Sequence, residues 1–174
     1  FEWTATVRPE LEWRTLERIL SDFSRITVPA YQRDFVWGEL QATQICDDLK
    51  TITDIDGPRS HHVRFLGTTL LELSQATDAA AGKPLNVVDG QQRITTLVLI
   101  LIVVLKELKS IDPESYDDKL KLLTRDQNLG ALHDPGQIKL VPRADDRDAM
   151  DHVLKELQYE DTSNKSIFLS KEQE

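Results

Sequence analysis

Between Leu97 and Leu105 the chain runs through nine consecutive apolar residues, and no other stretch limits the fold so tightly. As a helix this run has no polar face and is expected to be buried nearly all round. It is too short to span a bilayer. Its β-branched content would also suit a strand, and periodicity cannot arbitrate. The continuation Lys106-Glu107-Leu108-Lys109 favours a helix, because it carries the segment past ordinary strand length and supplies a basic last turn.

The residues before the run define its entry. Leu85 to Asp89 reads as a short buried strand ending in Asp89-Gly90, a pair that favours a tight turn because Gly accepts positive φ and Asp bonds nearby amides. The first helical turns then carry Gln91, Gln92, Arg93, Thr95 and Thr96. Unpaired amides at a helix start, with the positive end of the helix dipole, suit an anion, and the planar fork of Arg93 matches phosphate oxygens. A nucleotide phosphate is the natural guest. The plainer alternative is a structural turn in which Arg93 pairs with a carboxylate and Thr95 and Thr96 cap or pack the helix.

Composition bounds what surrounds this element. With 174 residues, 40% of them hydrophobic and 29% charged, the chain can bury one substantial core, and one domain over residues 1–158 with a polar tail or linker over 159–174 is expected. Starting at Phe1 and ending in Lys171-Glu172-Gln173-Glu174, it reads as a piece of a longer protein. The net charge of −9 argues against a generally basic nucleic-acid clamp, so any DNA contact must be local. A single cysteine, Cys46, excludes an internal disulfide and a cysteine-cluster zinc site. It fits a reducing, cytoplasmic setting. No signal peptide or membrane segment is evident.

Taken in order, Glu10 to Phe23 has helical spacing of Leu11, Leu16, Ile19, Leu20 and Phe23. Ser24 to Val28 reads as a strand stopped by Pro29. Tyr31-Gln32-Arg33-Asp34-Phe35-Val36-Trp37 is a loop dense in aromatic and hydrogen-bonding groups, the kind that forms sites, with Phe35 and Trp37 expected to plug the core. Gly38 to Ile52 is predicted helical, with Leu40, Ile45, Leu49 and Ile52 inward. Asp54 to Pro58 is a turn, and Val63 to Leu73 a strand with a close approach or bulge at Gly67. Ser74 to Pro84 reads as a mobile loop. Asp112-Pro113 starts another helix, running to about Leu123. Gln137 to Val141 alternates like a strand closed by Pro142. A last helix from Asp145 puts Met150, Val153, Leu154 and Leu157 on one face.

Three of these stretches form a recognisable combination: Val28-Pro29-Ala30-Tyr31-Gln32-Arg33-Asp34-Phe35-Val36-Trp37, then Phe65-Leu66-Gly67-Thr68, then Val87-Val88-Asp89-Gly90-Gln91-Gln92-Arg93-Ile94-Thr95-Thr96-Leu97. Together they resemble the N-terminal domain family of GmrSD-type restriction endonucleases, and Lys139-Leu140-Val141-Pro142-Arg143 with Asp146 looks like that family's next strand and helix. The resemblance covers roughly Leu11 to Leu157. It implies an α+β fold similar to ParB and sulfiredoxin proteins, a small mixed sheet from segments near Arg25, Phe65, Val87 and Ile138 wrapped by helices.

On that resemblance, Asp89 to Arg93 is the nucleotide site and Tyr31-Gln32-Arg33 the loop facing it. Binding of a nucleoside triphosphate with Mg²⁺, with or without hydrolysis, is implied, as is gating of cleavage of modified foreign DNA by a separate His-Asn-His nuclease domain or subunit. For hydrolysis, Asp89 and Gln92 are the candidates to orient water and Arg93 to neutralise charge. A homo-oligomer is compatible with this picture. The competing expectation is a DNA-binding adaptor whose Gln-Arg pairs grip backbone phosphates without nucleotide.

No metal site is expected from protein ligands alone. His61, His62, His133 and His152 are scattered, and adjacent strand residues such as His61-His62 face opposite ways, so the chain is not a nuclease by itself. The acidic group Asp145, Asp146, Asp148 and Asp151 is better explained as the first turns of a helix than as a Mg²⁺ site.

Overall fold

The computed structural model describes residues 10–53, 65–73, 84–125 and 137–155. In chain order the elements are α1 (Leu16–Asp22), β1 (Arg25–Thr27), α2 (Glu39–Thr53), β2 (Leu70–Leu73), β3 (Pro84–Asp89), α3 (Gln91–Ile111), α4 (Pro113–Leu123), β4 (Leu140–Val141) and α5, residues 144–155. The strands form one mixed sheet of order β2-β3-β1-β4. β1 runs parallel to both β3 and β4, pairing Ile26 with Leu85 and with Leu140, while β2 is antiparallel to β3. This is the expected α+β architecture, a small mixed sheet wrapped by helices.

The core follows from simple periodicities. Leu85 and Val87 of β3 point the same way and are buried, as their spacing of two requires. Ile94, Val98, Ile102 and Leu105 form the buried stripe of α3, and Tyr116, Leu120 and Leu123 that of α4. These join Leu20, Ile26, Leu140, Met150 and Leu154 in one cluster. Asp112 caps α4 by accepting the Ser115 N–H at 3.1 Å, with Pro113 at the first helical position.

Several expectations need correction. α3 is not buried on every side, since Val103 and Val104 are 44% and 53% exposed. Its buried stripe joins residues of the sheet and α4 in the core, and Val103 and Val104 lie off that stripe. α1 begins at Leu16 rather than Glu10, because Thr15 caps it by accepting the Arg18 N–H, and Leu11 is exposed. Leu40 on α2 is exposed where it was expected inward, while Ile45 is buried. Phe35 and Trp37 are half-buried and lie outside the core cluster.

The strand expected over Val63 to Leu73 starts only at Leu70, and residues 65–69 form no regular element. Alternation fails at Gln137 to Val141 because Ile138, Lys139 and Leu140 are all buried. Lys139 satisfies its ammonium by donating to the Leu20 carbonyl at 2.6 Å. Most of the expected loop over 74–84, the turn over 54–58, His61, His62, His133, Leu157 and the tail over 159–174 lie outside the described residues.

Candidate functional site

β1 and β3 are parallel, so their C-terminal ends open on the same edge of the sheet, the edge where open α/β sheets place ligands. At that edge β3 turns into α3 through Gly90, whose φ of +87° is a left-handed conformation that disfavours any side chain. Space enforces the same choice, because a Cβ there would lie 2.8 Å from Thr69 Oγ1 and 3.2 Å from Thr69 Cα. Asp89 Oδ1 accepts the Gly90 N–H at 2.8 Å and holds the turn. No side chain caps α3. The amides of its first turn therefore face the edge with the positive end of a 21-residue helix behind them.

Arg93 stands over this helix start. Its Nη1 donates to the Thr68 carbonyl at 2.8 Å, and its Cζ lies 6.0 Å from the centre of the Trp37 ring, within cation-π range. Gly67, at φ +104°, gives the guanidinium room, since a Cβ there would fall 2.6 Å from Arg93 Cζ. The close approach expected at Gly67 is thus an approach of backbone to Arg93. No carboxylate among the described residues pairs with Arg93, and the guanidinium is held between the 67–69 segment and Trp37 with donors to spare.

The glutamine side chains reach into the 31–37 loop. Gln92, 4% exposed, accepts the Val36 and Trp37 N–H groups on Oε1 at 2.8 and 3.1 Å and donates from Nε2 to the Asp34 carbonyl at 2.8 Å. Three of its four hydrogen-bonding positions are committed to the loop backbone, which makes it a positioning residue and leaves little of it to orient water. Gln91 donates from Nε2 to the Arg33 carbonyl, and Gln32 donates from Nε2 to the Val88 carbonyl at 2.6 Å. The 31–37 loop and the strand-turn-helix are therefore bolted together by side chains from both.

Arg143 completes the clamp, a role that the sequence motif Lys139 to Arg143 did not reveal. Its Nη1 donates to the Gln32 carbonyl and to Asp34 Oδ1, and its Nη2 to Asp145 Oδ2. Asp146 Oδ1 accepts the Phe35 N–H at 3.4 Å. The available signal was its place just after Pro142 at the end of a strand, which becomes informative only once β4 is known to run parallel to β1. These contacts give the acids at the start of α5 structural work, and among the described residues no group of metal-ligating side chains gathers.

Of the remaining candidates, Thr96 is buried and bonds back to the Gln92 carbonyl at 2.9 Å, a packing role. Tyr31 is 70% exposed and Arg33 is exposed, both on the loop facing the helix start. Thr95 lines a cavity of about 170 Å³ with Gln91, Phe35, Leu99, Arg143 and Asp146. Gln91, on its wall, is 6% exposed, and its Oε1 is buried with no hydrogen-bond partner among the described residues. Because Nε2 is fixed by donation to a carbonyl, turning the amide over would set two oxygens against each other, so the orphan is an acceptor. Buried acceptors without a donor are rare in native proteins.

Comparison with known families decides the relationship of the chain. A family model described as the GmrSD restriction endonuclease, N-terminal domain, matches residues 16–174. The chain belongs to this family. As a GmrSD N-terminal domain it is associated with a restriction system, and the match takes in all three motifs that meet at the start of α3. No curated protein matches the chain. No helix among the described residues is long and apolar enough to cross a membrane, the long α3 included.

Proposed function

We propose that this GmrSD N-terminal domain is a nucleotide-dependent sensor that binds the phosphates of a nucleoside triphosphate at the start of α3. The observation that carries it is the uncapped first turn after Gly90 with Arg93 fixed beside it and no described carboxylate neutralising that arginine. Amides of Gln91 to Arg93 would accept the phosphate charge and Arg93 would add a charge-assisted fork. The unpartnered Gln91 Oε1 beside the neighbouring cavity supports a ligand carrying a hydrogen-bond donor there, as exocyclic amino groups of bases do. Arg33 and Tyr31 would close over the ligand from the loop.

Mg²⁺ would enter with the phosphates, as it does where protein supplies only one or two carboxylates. Asp89, exposed at the turn, is the carboxylate placed to help hold it or to orient water. Occupancy of this site would regulate cleavage of modified DNA by a His-Asn-His nuclease domain or subunit. An adaptor that grips DNA phosphates with both Gln-Arg pairs fits less well, since the amides of Gln32 and Gln92 are committed to backbone and only Arg33 and Arg93 would be left to grip.

The test is a thermal-shift panel of ATP, GTP, CTP and UTP, with and without Mg²⁺, on the wild type and Arg93→Ala. Stabilisation by at least one nucleotide, lost in the variant, is the expected result, because a ligand that binds only the folded state raises its melting temperature. Absence of stabilisation by all four overturns the proposal. DNA binding that is salt-dependent, indifferent to nucleotide and unchanged in Arg93→Ala would favour the adaptor instead.

A further inference from the structure

A second cavity, of about 290 Å³, lies along the β4 edge of the sheet against α5 and is lined by three arginines from three separate elements. Arg25 opens β1, Arg125 follows α4 and Arg147 sits on α5. One carboxylate, Asp151, shares the wall, and the remainder is apolar, with Ile138, Leu140 and Met150 among it. Among the described residues, none of the three guanidiniums is ion-paired at their side chains.

This arrangement runs against the character of the chain. On a protein of net charge −9, gathering three cations and one anion around a single concavity is opposed by their mutual repulsion. At Arg125 desolvation first, and the charge of Arg25 second, lower the pKa from its ordinary value. Repulsion of that kind is relieved by an anion. Arginines brought to one cavity by three separate elements, all of them exposed, can offer donors to the several oxygens of a phosphate. The apolar floor suits the sugar or base attached to such a phosphate.

We propose that the cavity lined by Arg25, Arg125 and Arg147 is a binding site for a nucleotide phosphate group, separate from the start of α3. Two sources carry that chemistry, the backbone of duplex DNA and a free phosphate or mononucleotide. The acidic balance of the chain demands that any DNA contact be local, and this cavity sets three arginines against one carboxylate. The proposal does not depend on nucleotide binding at Arg93.

The experiment uses the 174-residue chain, a fluorescently labelled DNA duplex read by anisotropy over a salt series, and inorganic phosphate and deoxynucleoside monophosphate read by thermal shift. Arg25→Gln with Arg147→Gln is the principal variant, its melting curve confirming that it folds. If the source is DNA, the double variant weakens binding about tenfold at low salt and flattens the salt slope by about two, one per arginine removed. If the source is a free phosphate, the thermal shift is lost while DNA binding is unchanged. Asp151→Asn, which removes the carboxylate on the wall, is expected to tighten whichever ligand binds. Arg93→Ala leaves these effects in place. A folded double variant that behaves as wild type in both assays overturns the proposal, as does loss of both effects in Arg93→Ala.

Discussion

Gln92 and Val36 are joined by a 2.8 Å hydrogen bond, backbone N–H to side-chain Oε1, across 56 residues of chain. With the Trp37 N–H and the Asp34 carbonyl on the same amide, it makes one buried side chain the template for a whole loop. Gln92→Leu has nearly the same volume but strands those three backbone groups. A loss of about 2–4 kcal/mol in urea denaturation is expected, since each buried group left unsatisfied costs roughly 1–3 kcal/mol and some will find water. An unchanged midpoint would mean that the loop does not lean on this amide.

Gly67 and Gly90 separate stability from binding. At Gly90 both the left-handed backbone and the Thr69 contact resist a methyl group, so Gly90→Ala is expected to destabilise by at least the ~1–2 kcal/mol of the backbone conformation alone. At Gly67 the atoms that a methyl group would meet belong to the Arg93 guanidinium, the far end of a flexible side chain. Gly67→Ala adds backbone strain of similar order and also pushes that guanidinium off Thr68 and Trp37. Nucleotide-induced thermal shift should therefore fall further in Gly67→Ala than in Gly90→Ala once each is compared with its own unliganded melting temperature.

The guanidinium itself can be tested by a change that keeps its charge. Arg93→Lys leaves a cation at the helix start but loses the planar fork that now lies within cation-π range of Trp37. If phosphate recognition rests on that fork, lysine restores little of the nucleotide-induced shift lost in Arg93→Ala. Full rescue by lysine would reduce the role of Arg93 to a point charge.

α3 offers a sharp contrast within one turn. Ile102 is buried in the core, whereas Val103 and Val104 stand exposed beside it. Ile102→Ala is expected to cost about 2–5 kcal/mol. Val103→Thr with Val104→Thr should change stability by no more than about 1 kcal/mol in total, as exposed substitutions do. A cost for the threonine pair close to that of Ile102→Ala would show that these valines are covered in solution.

What could be read from the residues was set by how local the governing chemistry is. The Asp112-Pro113 helix start, the strand ending at Asp89 and the turn at Gly90 each depend on neighbours within four residues, and all were legible. The roles of Gln91 and Gln92 were not, because their partners lie 55–58 residues away and an amide at a helix start looks the same whether it faces a ligand or a loop. The exposure of Val103 and Val104 was hidden for a related reason. Hydrophobicity states what a side chain prefers, while the number of layers available to cover it is a property of the finished fold. Arg143 was part of a recognisable stretch, but its contact with the 31–37 loop follows only from the parallel pairing of β1 and β4.

Lys139 yields a prediction about pH. It is buried, and its pKa is lowered from the ordinary 10.5 by desolvation, so the folded state prefers the neutral amine more than the unfolded chain does. Between the lowered folded value and 10.5 the unfolded state binds more protons, and stability attributable to this group must rise as pH increases through that window. Below the window the penalty for holding a charged ammonium is constant, partly offset by its bond to the Leu20 carbonyl. Other groups also titrate at high pH, so the useful quantity is the difference between the wild type and Lys139→Met. Measured by urea denaturation at intervals from pH 7 to pH 10.5, the wild type should gain on the variant as pH rises. A difference that stays flat, or shrinks, would mean that the buried amine is as easily charged as an exposed one.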